Sequence, residues 1–425
     1  MGLGLDLIYG GAALLSSPVW VTTMAARGKL RTDWPARLGR CDPWPRTRRD
    51  GRLVPRVLIH AVSVGEVNAV RELVADLARD HEVAVSVTTD TGIARARGVF
   101  APPVRVVRYP FDFSGAVRSV LDAVQPDAVA LAELELWPNF TQACECRGIP
   151  IAIVNGRLSE RSFRRSLKVR PLLSPMFHRV AAVGAQTDDY AARFRAMGVA
   201  HERVQVVGTM KWDTARIADT VEGADALAAA LGIDRSKPLV VAGSTEPLEH
   251  ALLRDAVPAG VQLLCAPRKP EWFEDAARDL AGCARRSTGA CGSATGRFLL
   301  DTIGELRMAY ALADVVVVGR SFGELHGSDM IEPVALGKAT VIGPRWGDFA
   351  EPAQALLVAG GLMQAERGQL AAALAGLLND PAHRARMAQA GRAVIRARQG
   401  ATARNAAMVR AALAARQGST AHARG

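Results

Sequence analysis

The sequence predicts an α/β protein of two doubly wound domains, preceded by an apolar N-terminal segment that acts as a membrane anchor. Three observations predict it. The chain has 425 residues, which suits two or three domains at about 100–200 residues each. After Pro55, short β-branched runs alternate with helical stretches, pause, and resume in the same rhythm, the pattern of two parallel sheets with helical crossovers. No residue from Leu7 to Ala26 carries a charge, a stretch about as long as a spanning helix requires. At 49% hydrophobic and 22% charged residues, the composition excludes a mostly disordered chain, a collagen-like repeat and a polytopic membrane protein.

Gly10, Gly11, Ser16, Ser17 and Pro18 leave the N-terminal span only moderately apolar. It lacks the basic start of a cleavable secretory signal, so it is expected to be retained. Residues 27–56 hold ten basic and three acidic side chains, a net +7 out of +11 for the whole chain. Positive charge directly after a span predicts a body on the cytoplasmic side. A polybasic run beside anionic headgroups gains about 1 kcal/mol per Lys or Arg. A nucleic-acid protein more often spreads its basic residues along a domain face, so anionic lipid is the expected partner and nucleic acid is not. A buried N-terminal helix of a soluble protein is the plainer alternative. The six cysteines are scattered without metal-ligand spacing, which fits free thiols in a reducing cytoplasm and no metal site.

The first set of strands is expected at 57–62, 83–88, 104–107, 128–132, 151–154, 180–183 and 204–207, with helices over 66–79, 91–98 and 116–124. A helical linker follows at 213–237. The second set is expected at 239–242, 262–265, 298–300, 315–318 and 340–342, and a helical end begins near Leu370. Near-continuous apolar runs suit strands buried on both faces. Such sheets bind ligands at the carboxyl ends of their strands, and with two domains the cleft between them is the expected active site.

Residues at those strand ends carry the chemistry. His60-Ala-Val-Ser63-Val-Gly65-Glu66 closes the first strand and opens the first helix. Glu66 falls in the first helical turn, where the helix dipole favours the carboxylate that a general base needs. The same spacing also makes Ser63 an N-cap and Glu66 its capping-box partner. Glu133-Leu-Glu135-Leu-Trp137-Pro138 follows the fourth strand and either faces the ligand or is a solvated loop. Residues 155–170 form a basic amphipathic stretch, suited to a membrane surface, to an anionic acceptor or to plain solvation. In the second half, Gly243-Ser244-Thr245, Pro267-Arg268-Lys269-Pro270, Asp301–Leu306 and His326–Pro333 end successive strands. They offer turn residues and helix N-terminal amides for phosphate, cations, and Glu332 for a ribose diol. Each is more often structural when taken singly; their joint placement at successive strand ends is the stronger signal.

The motifs HAVSVGEVNA, ELELWPN, NGRLSERS, GTMKWD, GSTE, PRKP, DTIGELRMAY and the EPVALGK block follow one another between His60 and Pro344. In this order the chain resembles the lipid A 3-deoxy-D-manno-octulosonic acid (Kdo) transferases, glycosyltransferases of the GT-B fold. The resemblance implies two facing Rossmann-like domains: a membrane anchor and basic flank at 1–30, an acceptor-binding domain at 31–212, a linker at 213–237, a nucleotide-sugar-binding domain at 238–416 and a tail at 417–425. It implies CMP-Kdo as donor, a lipid A precursor as acceptor, the cytoplasmic face of the inner membrane as location, and no further cofactor. It places the general base on Glu66, a second catalytic carboxylate on Glu133 and a charge-stabilising lysine on Lys211. CMP contacts fall on Pro267, Arg268, Ile303, Gly304, Glu305, Asp329, Met330, Ile331 and Glu332.

There are departures from the family pattern. Lys269 stands where the family usually has His. His326-Gly327-Ser328-Asp329 replaces Gly-Gly-His-Asn, and Glu246-Pro247-Leu248 replaces His-Glu-Gly. All bear on donor choice. The expected reaction is inverting sugar transfer, in which a leaving group with one phosphate requires no metal clamp. A transferase with a related donor, a nucleotide-sugar epimerase and a non-catalytic anionic-lipid-binding protein are the alternatives. Retention of Glu66, Glu133 and Lys211 argues against the last.

Overall fold

The β-branched runs form strands close to where the sequence places them. The structure, a computed structural model, describes residues 2–15 and 32–422. The first sheet has seven parallel strands, β1 (Arg56–Ala61), β2 (Glu82–Val87), β3 (Arg105–Arg108), β4 (Ala128–Ala132), β5 (Ile151–Gly156), β6 (Val180–Ala185) and β7 (Val204–Val206). They lie in the order β3-β2-β1-β4-β5-β6-β7. The second sheet has seven more, β8 (Leu239–Thr245), β9 (Gln262–Pro267), β10 (Ala284–Arg285), β11 (Arg297–Leu299), β12 (Val315–Val318), β13 (Ala339–Ile342) and β14 (Met363–Gln364), in the order β10-β11-β9-β8-β12-β13-β14, also all parallel. Every residue of β1, β4, β8 and β12 is buried, because helices cover both faces of each sheet.

The helices used below are α1 (Gly2–Leu15), α2 (Val64–Ala69), α3 (Ser114–Val124), α4 (Pro138–Cys146), α5 (Glu160–Leu167), α6 (Arg170–His178), α7 (Ala224–Leu231), α8 (Pro247–Ala256), α9 (Leu306–Leu312), α10 (Ile331–Ala335) and α11 (Ala401–His422). The helix expected over 66–79 is two, since the chain breaks at Val70 between Val64–Ala69 and Arg71–Leu77.

The chain forms two units, one reaching Thr214 and resuming at Gln399, the other spanning Ala215–Arg398. This differs from the expected boundaries in three ways. Residues 213–237 are not a free linker, because α7 packs on α9 inside the second unit. The second unit ends at Arg398, not at 416, because α11 belongs to the first unit. Asp213 accepts the Gly400 and Thr402 N–H groups at 2.6 and 2.5 Å. Arg410 meets Asp76 and Asp80 at 3.0 Å, and Ala406, Val409 and Leu413 join the core beside Val57, Ile59 and Leu73. Finally, α11 continues to His422, so 417–422 are helix rather than tail. The second unit has its own core, built on Val240, Leu263, Val315, Val317 and Val341.

Among the described residues no helix is long and apolar enough to cross a membrane. The expected span Leu7–Ala26 runs from α1 into residues 16–31, which lie outside those described. The described part is docked on the first unit. Asp6 accepts from the Ser114 N–H at 2.9 Å and from Asn139 Nδ2 at 3.0 Å, at the first turns of α3 and α4. Anionic side chains are favoured at that end of a helix. The basic run is also less free than its charge suggests. Arg37 pairs with Asp90 at 3.3 Å and Arg46 with Asp127 at 2.7 Å. Arg56 is fully buried, 2.8 Å from Glu82 and 3.8 Å from the centre of the Trp44 ring.

Replacing Asp213 by Ala leaves two N–H groups at the start of α11 without their acceptor. Urea unfolding is expected to show a loss of about 1–2 kcal/mol, with faster amide exchange over 400–405. An unchanged midpoint and unchanged exchange would show that Asp213 does not hold α11.

Candidate active site

In the first sheet the strand order reverses between β1 and β4, which are hydrogen-bonded neighbours. In doubly wound folds a crevice opens there, beyond the carboxyl ends of the strands. Glu66 follows β1 and Glu133 follows β4, so this topology alone brings the two carboxylates together. They share a pocket of about 280 Å³ with Glu135, Arg157, Ser159 and Ser162. A larger cavity, about 550 Å³, lies toward the amino ends of β5–β7 against α11, where small apolar residues such as Ala181 and Ala411 sit beside Glu202, Arg203, Gln205 and Arg416. Strand direction, not size, therefore locates the chemistry.

Ser63 caps α2. Its Oγ accepts the Glu66 N–H at 3.5 Å and donates to Glu66 Oε1 at 3.2 Å. Glu66 Oε2 accepts the Val62 N–H at 2.9 Å, one residue before the N–H that a standard capping box uses. The carboxylate is thus fixed in place and still lines the pocket, so capping and proton transfer are compatible in one side chain. Burial pushes its pKa up to about 7; the Val62 N–H opposes this, while Glu133 and then Glu135 add to it. A carboxyl titrating near neutrality is matched to general-base work.

Glu133 has φ +58°, in the left-handed region rare for residues with side chains. Its N–H bonds the Val154 carbonyl at 3.0 Å and its carbonyl accepts the Arg157 N–H at 3.3 Å. That places Arg157 on the same pocket wall. Such backbone strain, of order 1–3 kcal/mol, gathers at functional sites. Glu135 accepts from Trp137 Nε1 at 3.0 Å, and burial raises its pKa. Behind this wall His60 is fully buried, held by Ser86 and stacked on Tyr109 at 3.8 Å between ring centres; burial lowers its pKa to about 3, so it stays neutral. Lys211 is not brought into this lining. It sits on a turn, Met210–Thr214, that packs against α2.

The second sheet reverses between β8 and β12. Gly243 and Gly319 lie at those strand ends, where a Cβ would come 2.1 Å from the Tyr310 hydroxyl and 2.6 Å from Thr245 Cα, respectively. Arg268 is exposed just past β9, its N–H held by the Thr245 carbonyl at 3.0 Å. Lys269 pairs with Glu271 at 3.4 Å and lies 4.8 Å from the centre of the Trp272 ring. Ile303 is 71% exposed, Gly304 takes φ +100°, and Glu305 pairs with Arg286 at 3.0 Å. Asp329 accepts the Ile331 N–H at 2.8 Å, and Glu332 meets Arg307 at 3.5 Å. Met330 and Ile331 are fully buried, so their side chains serve the core and only their backbone is left for a ligand. The sequence reading missed Arg286 and Glu249. The spacing Glu246-Pro-Leu-Glu249 before an apolar run is a capping-box signal that marks the latter. Among the described residues no cluster of three or more His, Cys, Asp or Glu side chains is arranged to hold a metal ion.

A family model described as 3-deoxy-D-manno-octulosonic-acid transferase (kdotransferase) matches residues 32–214, ending where the chain leaves the first unit for the second. The 3-deoxy-D-manno-octulosonic acid transferase of Bordetella pertussis is 33% identical over 419 residues, covering 93% of this chain and 96% of that protein. The chain belongs to the Kdo transferase family. It is therefore a glycosyltransferase. The Haemophilus influenzae Kdo transferase is 29% identical over 82% of this chain and 85% of its own. Two solved structures share the two-domain fold of this Kdo transferase at low identity. A Rickettsia africae glycosyltransferase has a TM-score of 0.57 at 11% identity, covering 85% of this chain and 98% of its own. Anabaena HepE, solved with UDP and glucose, has a TM-score of 0.55 at 15%, covering 85% and 100%.

The raised pKa of Glu66 has a consequence for stability. With the folded value near 7 and the ordinary value at 4.5, the native state holds the proton more tightly than the unfolded chain. Wild-type stability should therefore fall as pH rises from about 5 to 8 on this group's account. Glu66→Gln removes that loss, so the variant should gain on the wild type over the same interval in urea unfolding. A gap independent of pH would mean that Glu66 titrates normally.

Proposed function

We propose that this Kdo transferase moves Kdo from CMP-Kdo to the disaccharide of a lipid A precursor, with inversion at the anomeric carbon, in lipopolysaccharide core biosynthesis. The observation that carries the reading is Glu66. Its carboxylate is fixed by Ser63 and the Val62 N–H, titrates near 7 and shares a pocket with Glu133. Glu66 takes the proton from an acceptor hydroxyl. The freed electron pair forms the new bond to the anomeric carbon. The bond from that carbon to the CMP phosphate oxygen breaks, and CMP departs with those electrons. Glu133 raises the proton affinity of Glu66, and Lys211 and Arg268 are the cations assigned to the charge that develops on phosphate. Pro267, the backbone of 303–305 and 329–331, and Glu332 are assigned to CMP.

The acceptor end is assigned to the first unit. Arg157, Ser159 and Ser162 line the Glu66 pocket and lead into α5. Beyond it the turn into α6 exposes Leu167, Val169 and Leu172 among Arg161, Arg164, Arg165, Lys168 and Arg170. Apolar side chains within a basic surface suit the boundary of an anionic bilayer, which supports a location at the inner membrane, catalytic units on the cytoplasmic side.

Three measurements test this. Incubated with CMP-Kdo and lipid A precursor, the enzyme should add Kdo mass to the lipid. Glu66→Gln should do so about 10²-fold more slowly with CMP affinity kept. CMP-sugar turnover without lipid would instead mark an epimerase, and wild-type-like transfer by the variant would move the base to Glu133. The wild-type kcat/KM should fall on the acid side with an apparent pKa of about 7, since the base must be ionised; a limb near 4.5 would exclude Glu66. Full-length protein should sediment with vesicles containing anionic lipid, more weakly after Leu172→Glu. Equal sedimentation would remove the α5–α6 turn from the membrane contact.

A further inference from the structure

Glu249 is a completely buried acid that the mechanism above does not use. It stands on the first turn of α8 and receives four backbone N–H groups. Its Oε2 accepts from Glu246 at 3.0 Å and Arg320 at 2.8 Å, and its Oε1 from Ser321 at 2.9 Å and Phe322 at 3.1 Å. A capping box accounts only for the first. The other three are consecutive amides converging on one point, the concavity that elsewhere binds an anion. Here the protein's own carboxylate fills it.

The loop so gathered follows β12 at the place where the second sheet reverses. Arg320 is left-handed at φ +58°. A Cβ on Gly319 would meet Glu249 Oε2 at 2.8 Å. Ser321 Oγ donates to the Val318 carbonyl at 2.6 Å and accepts the Gly343 N–H at 2.9 Å. The Arg320 carbonyl accepts the Gly327 N–H at 2.8 Å, which ties the loop to the segment that runs into Asp329–Glu332. Every one of these bonds depends on a backbone course that would leave three N–H groups, two of them buried, unpaired without the carboxylate.

We propose that Glu249 is a positioning residue for the donor: by occupying the nest formed by Arg320, Ser321 and Phe322 it presets the loop that carries Asp329–Glu332, so donor binding does not have to order it. The proposal rests on the CMP-Kdo reading above. Without the carboxylate, only a fraction of molecules holds the competent loop, and apparent donor affinity falls by that fraction.

Glu249→Ala in the full-length chain tests it. The KM for CMP-Kdo and the Kd for CMP should rise about tenfold or more, with kcat within about threefold. Sodium formate, whose carboxylate fits the vacated nest, should bring KM back down, and sodium chloride at equal ionic strength should not. A purely structural role would lower the melting temperature and leave KM alone. KM unchanged in a folded variant, or raised but unmoved by formate, overturns the proposal. Failure of the wild type to bind CMP overturns instead the donor reading. Amide exchange of wild-type residues 319–323 gives a second route if the variant does not fold. Protection already present without CMP, and unchanged by it, supports a preset loop; protection that appears only with CMP overturns it.

Discussion

All strands in each sheet run in one direction, and the position of the chemistry follows from that. A parallel pair can be joined only by a crossover, so every connection returns across a face and every carboxyl end emerges on the same edge. Where successive crossovers change side, adjacent strands send their loops apart and leave a crevice. Neighbouring strands lie about 4.8 Å apart, so residues just past β1 and β4 are held close without any bond between them. Glu66 and Glu133 occupy those positions. Their mutual repulsion is sustained because the sheet, with its core of Val57, Ile59 and Ala130, fixes both ends.

The strained backbone has the same distribution. Of the non-glycine residues with positive φ, Glu133, Asn155, Ser244 and Arg320 sit at or just beyond strand carboxyl ends: Ser244 and Arg320 on the two sides of the second sheet's reversal, Glu133 and Asn155 on β4 and its neighbour β5, on one side of the first. Each is pinned by a neighbour: Asn155 Oδ1 accepts the Met210 N–H at 3.0 Å, and its own N–H is held by Asn405 of α11 at 3.2 Å. A residue on the turn that carries Lys211 is thereby bonded to the strand next to the Glu133 loop.

Much of this was legible in the sequence. Strands buried on both faces are mostly apolar, and β4 and β12 are so throughout, which is why those two could be bounded to the residue. Glu133 past β4 stood out because a carboxylate is rare at the end of such a run. The edge strands β10 and β14 were not legible: with two residues each they have no periodicity to read. The return of α11 was not legible either, since an Ala- and Arg-rich helix looks alike whichever core it joins. What decides it is Asp213, far away in sequence, accepting from Gly400 and Thr402. Glu249 escaped because the amides it gathers lie 71–73 positions downstream. The N-terminal charge misled in part, because counting residues does not reveal that Arg37, Arg46 and Arg56 are neutralised by acids of the same unit.

That return of α11 makes the second unit an insertion within the first. During synthesis, residues 215–398 emerge complete while the first unit still lacks the helix that supplies Ala406, Val409 and Leu413 to its core. The second unit can thus mature on the ribosome, whereas the unit bearing Glu66 reaches its final packing only after α11 has been translated. Premature termination between 215 and 400 would remove α11 and yield an unfinished first unit, so such a partial product would not carry a fully formed Glu66 site.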